Sequence, residues 1–510
     1  MTALPNSAVN PQPPRMVVQA FWLTLSKLIA ALLNIALPIL LVRLMSQRDF
    51  GVYKQAFLFA MTATNMANLG VGVSAFYYMP RHPERGGQIA LNILIYNAVA
   101  GLIPLFVLMA FPRLLTMLFR TNALEPMAWL LGLLVLVTLS ASLVQIMPTA
   151  LQDVRYSTIL IVGTQFVRAV LLVIAAVWYH TVVSLIWATI LSQVVSLAVL
   201  FWYLRDKFGH FWTHFDRHFF IEQLTYAFPI GAFALLWVVQ KDLDNYFVSG
   251  TLGPKDYAIY AVGWIDVPLV SLFQESVGAV LVLRISALQH QGNIREIRRV
   301  MAAAWTRLAS FQFPACMLLL VAGHDLIVLL YTHAYEASTQ IFRVSILLLA
   351  LNVFLMDPVT RSYKEVRFYL LIIRILIFTA LVCSLTTIIH HYGMIGAAIA
   401  AVGAQYVEKI IFARKVATKV GATLQDLPLF SHLFKISAIT LVAGLAAYLA
   451  RNLVSPPLLI VRIATVTLVL GAVYLTGFYL LRIPGWEFLS WRRITAAIRS
   501  RLAGLRPARG

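Results

Sequence analysis

Apolar stretches of about 20 residues, the length of a helix that crosses a bilayer, recur from Phe21 to Leu481 with no long polar interval between them. A soluble domain of ordinary size has no room in such a chain. Of its 510 residues 61% are hydrophobic and 12% charged, against about 25% charged in a soluble domain, and the mean hydropathy is +0.83. Inside a bilayer every backbone polar group must be satisfied internally, so a spanning chain is helical or a closed barrel. The period-two alternation of a barrel is absent and the runs are continuous. The expected fold class is all-α, a polytopic membrane protein.

Polar breaks divide the chain into fourteen expected spans: 21–44, 53–78, 88–111, 127–151, 158–179, 181–204, 225–249, 257–283, 308–330, 339–357, 368–389, 394–412, 436–453 and 458–481. Lysine and arginine test that count, because they favour cytoplasmic loops. Of the 40, the N-terminus, the even-numbered connections and the C-terminus hold 26; the odd-numbered connections hold 7, and another 7 lie within or at the edge of spans. Both termini are therefore expected on the cytoplasmic side. This scatter through short loops also explains the net charge of +20 without nucleic acid, which would need a basic face on a folded domain. The segment before the first span lacks the basic region and cleavage site of a secretory signal, so that span is expected to be retained. Cys316 and Cys383 sit in apolar runs and form no metal or disulfide pattern.

The sequence repeats itself. Asp49-Phe50-Gly51-Val52-Tyr53 matches Asp256-Tyr257-Ala258-Ile259-Tyr260 at an offset of 207; Arg155-Tyr156 matches Arg367-Phe368 at 212; residues 184–190 resemble 393–399 at about 209. Six helices, duplicated, plus two, account for the chain. Six is even, so both copies enter the membrane in the same direction, the parallel-repeat arrangement of some transporters. The expected organisation is a cytoplasmic segment (1–20), an N-lobe (21–204), an amphipathic linker (205–222), a C-lobe (223–412), a cytoplasmic connection (413–435), two further helices (436–481) and a basic tail (482–510). A cavity between the lobes is the expected substrate site.

A lysine or arginine at mid-bilayer costs about 2.5–3.5 kcal/mol on insertion scales, so such groups face a cavity or a partner. Six lie within spans: Lys27, Arg168, Lys241, Arg343, Arg374 and Lys409. At offset 207 Asn34 corresponds to Lys241, and Lys27 and Asn34, seven apart, share a helical face. Lys54, Asn65, Asn68 and Gly72 fall within a sector of about 60° at 100° per residue, a stripe expected to line the same cavity. Among acids within spans, Asp244 is the candidate for exchanging a proton or holding a sodium ion. The bland alternatives are ion pairs: Lys241 with Asp244 at i, i+3, and Lys409 with Glu408 or another helix.

The stretches 43–53, Asn68-Leu69-Gly70-Val71-Gly72, Tyr226-Ala227-Phe228-Pro229-Ile230, 256–260 and Tyr392-Gly393-Met394-Ile395-Gly396-Ala397-Ala398 resemble the oligosaccharide flippases of the polysaccharide-transporter group over roughly 17–481. Its superfamily also holds multidrug and toxic-compound exporters and peptidoglycan-precursor flippases. The chain departs from that pattern at Arg284, where many relatives carry a proline ending span eight. The resemblance implies a bacterial cytoplasmic membrane, a polyprenyl-diphosphate-linked oligosaccharide as substrate, and membrane lipids and polysaccharide polymerase or other assembly proteins as partners; the energy for transport is expected from an ion gradient such as H+ or Na+, from substrate removal or from another protein. It also implies that cavity cations oppose the diphosphate, lysine as a point charge and arginine in bidentate fashion. Final helices flanking a path for the lipid tail are implied as well.

No cofactor, metal or enzymatic reaction is expected. Walker A, dinucleotide, HExxH and GxSxG motifs are missing. Asp242-Leu243-Asp244 resembles the acidic motif of metal-using membrane glycosyltransferases, but it lies within a span. A glycosyltransferase or polymerase stays the remote alternative and an exporter of cationic amphiphiles the nearer one. His210, His214 and His218, spaced by four, suggest a metal site; phenylalanines and Trp212 on the opposite face favour one interfacial amphipathic helix. From Trp491 to Arg506 the tail shows a similar pattern, expected to lie on the anionic leaflet.

Overall fold

The computed structural model describes residues 13–213, 215–265, 267–453 and 458–483. All regular structure among them is helical. The chain divides into two units, residues 1–261 and 262–510. The first holds α1 (Pro13–Leu44), α2 (Gln47–Asn68), α3 (Ala75–Tyr78), α4 (Gly86–Ala110), α5 (Arg113–Phe119), α6 (Ala128–Ala141), α7 (Leu143–Ala150), α8 (Val154–Trp178), α9 (Val182–Phe208) and α10 (Arg217–Leu252). The division falls in α11 (Pro254–Gly263). The second holds α12 (Pro268–His290), α13 (Ile294–Tyr331), α14 (Ser338–Leu351), α15 (Asp357–Ser362), α16 (Lys364–Lys419), α17 (Ser431–Leu453) and α18 (Leu459–Leu480).

Ten described helical segments are long and apolar enough to cross a membrane, and eleven when α2 and the turn-and-helix after it count as one span bent by 50°. The protein is a multi-pass membrane protein. Three features make this compatible with fourteen spans. Helix α10 has 36 residues, more than a bilayer needs. Helix α14 is a shorter apolar helix of 14 residues. Helix α16, 56 residues, is two helices joined at Gly393, whose φ of 62° lies outside the helical region.

Within the first unit α4 packs on α6, α1 on α8, and α2 on α6 and α10. One core gathers Tyr78, Ile89, Ile93, Leu143, Met147, Leu200, Tyr203, Phe211 and Phe219. In the second unit α17 and α18 pack on each other and on α13. Ile436, Ala443, Val466, Leu470 and Phe478 form the centre of that contact. Side-chain caps start the helices where the sequence supplies them: Ser46 accepts from the Asp49 N–H, Thr181 from Ser184, Asp153 from Tyr156 and Asn293 from Glu296.

One expectation is corrected. Residues 205–222 do not form a single amphipathic helix: α9 continues to Phe208, Gly209 turns the chain at φ 61°, a short 3-10 turn spans Phe211–Thr213, and Asp216 caps α10. His210 and His218 therefore belong to different elements, and the core takes up Phe211 and Phe219. Glycine and an aspartate cap, both helix punctuation, outweigh the four-residue spacing. His214 and the amphipathic tail pattern lie outside the described residues.

Helices α2 and α10 run antiparallel and meet at three levels. Gln55 Nε2 donates to Ser249 Oγ at 2.8 Å, Thr62 Oγ1 donates to Asp242 Oδ2 at 2.9 Å, and at the end of α2 the backbone of Leu69 lies against Gly231. A Cβ on Gly231 would stand 2.0 Å from the Leu69 carbonyl oxygen. Leu69 and Gly70 both take positive φ, 42° and 73°, and this ends α2 at the contact. Small residues permit such close backbone approach between membrane helices. Gly231→Ala is expected to destabilise the protein by about 1–3 kcal/mol, the usual cost of overpacking, whereas Gly163→Ala, with open space around its position, should be neutral. Thermal unfolding of the two purified variants in detergent checks this.

Candidate functional site

Most of the charged and amide side chains expected to meet a substrate lie on α1, α2, α8 and α10, all in the first unit. On α2, the face holding Gln55, Thr62 and Leu69 is turned to α10. Residues seven apart drift by only about 20°, so the three form one narrow seam. Lys54, Asn65 and Asn68 lie about 80° around the helix from that seam, at 100° per residue. Lys54 is half-buried, its ammonium 5.6 Å over the Phe50 ring; Asn65 is exposed and Asn68 half-buried. Asn65 is thus the exposed member of the stripe, and Gly72 falls outside it, buried in the 3-10 turn that follows the end of α2 at Asn68.

On α10, Asp242 is committed to Thr62. Its neighbour Lys241, about 100° away around the helix, is exposed. Asp244 is buried and accepts a hydrogen bond of 2.6 Å from the hydroxyl of Tyr260 on α11. Both carboxylates of the acidic motif are thus engaged in helix–helix hydrogen bonds. Lys27 and Asn34 are exposed on α1. Helix α1 packs on α8, which carries the half-buried Arg168, with its Nε buried and lacking a hydrogen-bond partner.

The second unit holds the remaining candidates. Arg343 is exposed on α14. Arg374 is bound to Glu408, Nε to Oε1 3.0 Å, both largely buried. Lys409 donates to the Phe354 carbonyl at 3.0 Å. No group of three or more metal-ligating side chains occurs among the described residues.

A charge cluster that sequence reasoning did not single out lies where α13 meets α17 and α18. Asp325 is fully buried and accepts from Arg451 through both oxygens, at 2.9 and 3.0 Å, and from Arg462 at 3.1 Å. Beside it His324 approaches Asp325 at 3.3 Å and Glu336 at 3.0 Å. The His324 contact holds the exposed Glu336 carboxyl below the usual carboxylate range. The available signal was depth: one acid at the end of span nine and two arginines at the facing ends of spans thirteen and fourteen share the outer side of the expected topology. Polar seams also went unread, including Gln223 donating to Ser74 at 2.7 Å and accepting from Asn92 at 3.3 Å.

With this geometry in hand, the chain can be set beside known proteins. A family model described as polysaccharide biosynthesis protein matches residues 17–282. The lipid II flippase MurJ in its inward closed conformation superposes with a TM-score of 0.69 at 14% identity, over 91% of this chain and 99% of that one. An inward-facing multidrug resistance MATE family transporter of the MOP superfamily gives 0.59 at 16%, over 77% and 95%. A MOP superfamily transporter from Pyrococcus furiosus Vc1, whose binding pocket of reverse polarity suggests a different function, gives 0.56 at 15%, over 80% and 95%. No curated protein matches by sequence. At such identities the likenesses establish the fold, and the fold is that of MurJ and the MATE transporters.

The Asp325 cluster is the strongest charged anchor of the last two helices. Asp325→Asn leaves two largely buried arginines without their shared counter-charge and should cost about 3–5 kcal/mol, as for other broken buried pairs. Glu365→Gln, which removes the exposed partner of Lys419, should change stability by no more than about 1 kcal/mol. Thermal unfolding of both variants, with loss of α17–α18 packing read by protease sensitivity, checks the contrast.

Proposed function

Because the chain belongs to the polysaccharide biosynthesis protein family, we propose that it is a flippase carrying polyprenyl-diphosphate-linked oligosaccharide repeat units across the bacterial cytoplasmic membrane for surface or exopolysaccharide synthesis. The observation that carries this reading is the polar stripe of Lys54, Asn65 and Asn68 on α2, on a face that the seam with α10 does not use.

A lipid-linked glycan presents two chemistries to a carrier. Its diphosphate needs cations, and exposed Lys241 and Lys27 with half-buried Lys54 offer compact ammonium charges for it. Its sugar hydroxyls need groups that both donate and accept, which is what the amides of Asn34, Asn65 and Asn68 supply. Arg168 has an unused buried Nε donor for a phosphate oxygen. Arg343 and Arg374 are weaker candidates, and Glu408 already neutralises the latter. The polyprenyl chain stays in the lipid, so only the head group needs shielding. Alternating access then moves that head group from the cytoplasmic to the outer leaflet.

Energy for net transport comes from H+ or Na+ exchange, with Asp244 as the coupling carboxylate. It is buried, and it holds one strong hydrogen bond, to Tyr260. A hydrogen-bonded buried acid is the type of group whose protonation a conformational change alters.

The second reading, an exporter of cationic amphiphiles, is favoured by the Asp242 and Asp244 pair on α10 and by the MATE-like fold. Cavity charge argues against it, since lysines are at least as prominent as acids among the candidates, and a cation is repelled by them.

Cells in which Lys27, Lys54 and Lys241 are all changed to alanine, with the protein still present in the membrane at the parental level, are expected to accumulate complete repeat units on the lipid carrier. Surface polymer should fall by about tenfold or more, a loss equivalent to one charge-assisted hydrogen bond. Mass spectrometry of the lipid-linked glycan pool reads the first, and polymer quantification the second. Unchanged pool and polymer would overturn the proposal. Unchanged glycans with altered drug sensitivity would favour the exporter, and a truncated repeat unit would indicate an enzyme.

A further inference from the structure

Arg81 and Arg85, in the connection between α3 and α4, are loop arginines that each lie over an aromatic ring. Both are exposed. Lys207, Arg284, Arg299 and Lys419 each meet a carboxylate; Arg81 and Arg85 meet none among the described residues. The acids nearby are engaged elsewhere, Glu84 with His82 at 3.4 Å and Glu222 with the Tyr78 hydroxyl at 3.4 Å.

The two guanidiniums are nevertheless held. Arg81 lies 3.8 Å over the Tyr77 ring and its Nη1 donates to the Tyr77 carbonyl at 2.8 Å. Tyr77 is itself stacked on Tyr226, centroids 4.2 Å apart. Arg85 lies 5.4 Å over Phe219. Tyr78 joins the two platforms, edge-on to Tyr77 at 5.0 Å and to Phe219 at 5.4 Å. Stacked arginine loses little further freedom on binding an anion, and most of its five donors stay available.

The depth of the pair in the membrane is marked by aromatic side chains. Arg85 directly precedes Gly86, which packs against the Phe208 ring, and around the adjoining turn Trp202, Trp212 and Phe215 are exposed. Amphipathic aromatics collect at the head-group level of a bilayer. On the positive-inside assignment this is the cytoplasmic leaflet.

We propose that Arg81 and Arg85 form a docking site for the phosphate group of a membrane lipid at the cytoplasmic head-group level, separate from Lys54 on α2 and Lys241 on α10. Two sources offer that chemistry: an anionic phospholipid, and the diphosphate of the lipid-linked glycan. Only the second depends on the proposed function.

The test uses the full-length protein in phosphatidylcholine nanodiscs doped with either phosphatidylglycerol or undecaprenyl diphosphate, with bound lipid read by native mass spectrometry. The R81Q/R85Q variant is expected to retain about thirtyfold less phosphate lipid, the loss of two interfacial cations. R81K/R85K should fall between, because lysine keeps the charge without the planar stack. Tyr77→Phe, which keeps the ring, should bind as the parent does. Loss with both lipids supports a general head-group site, and loss confined to undecaprenyl diphosphate supports a substrate docking site. Undiminished retention of both lipids by R81Q/R85Q overturns the proposal. No transport is measured, so a failure of the flippase reading would show in the glycan pool and leave this result standing.

Discussion

The crossing of α2 and α10 is the contact from which the rest of the first unit takes its geometry. A van der Waals seam alone would let two membrane helices slide, since lipid tails are as apolar as the side chains between them. Here Gln55 with Ser249 and Thr62 with Asp242 fix the register, and the approach of Leu69 to Gly231 fixes the spacing. Rotation of α2 about its axis is thereby set. Its adjacent face, bearing Lys54, Asn65 and Asn68, is one the seam does not use.

Charges in this protein fall into two classes that differ in what surrounds them. Asp325 with Arg451 and Arg462, and Arg374 with Glu408, are largely buried and mutually neutralised. Their attraction holds helices together and leaves little field for a ligand. Arg81 and Arg85 are exposed and meet no carboxylate among the described residues, so their charge is available to what approaches from outside. Desolvation decides between the roles: a buried ion without a partner costs several kcal/mol, so burial selects pairs and exposure tolerates single charges.

Much of the fold was legible because the bilayer imposes it. Apolar length gave the helices. What escaped was whatever depends on two distant segments meeting. Gln55 and Thr62 are seven apart, as are Ser249 and Asp242, yet each reads alone as an ordinary polar residue on a membrane helix. Only the antiparallel contact shows them as a seam. Asp325 reads as an external acid until Arg451 and Arg462 arrive from helices more than a hundred residues away. The linker between spans six and seven was misread for the opposite reason: a local spacing of histidines suggested one helix, whereas Gly209 and Asp216, also local, divide it.

The family match ends at residue 282, within α12, while the likeness in fold extends over most of the chain. That difference parallels the distribution of charge. Intramembrane cations of the second unit are mostly engaged: Arg374 by a carboxylate and Lys409 by a backbone carbonyl. In the first unit Lys54 rests over an aromatic ring and Arg168 keeps a donor unused. The first unit carries the family signature together with these donors. On the proposed function, the first unit therefore supplies most of the groups that read the substrate's polar head, and the second offers the exposed Arg343.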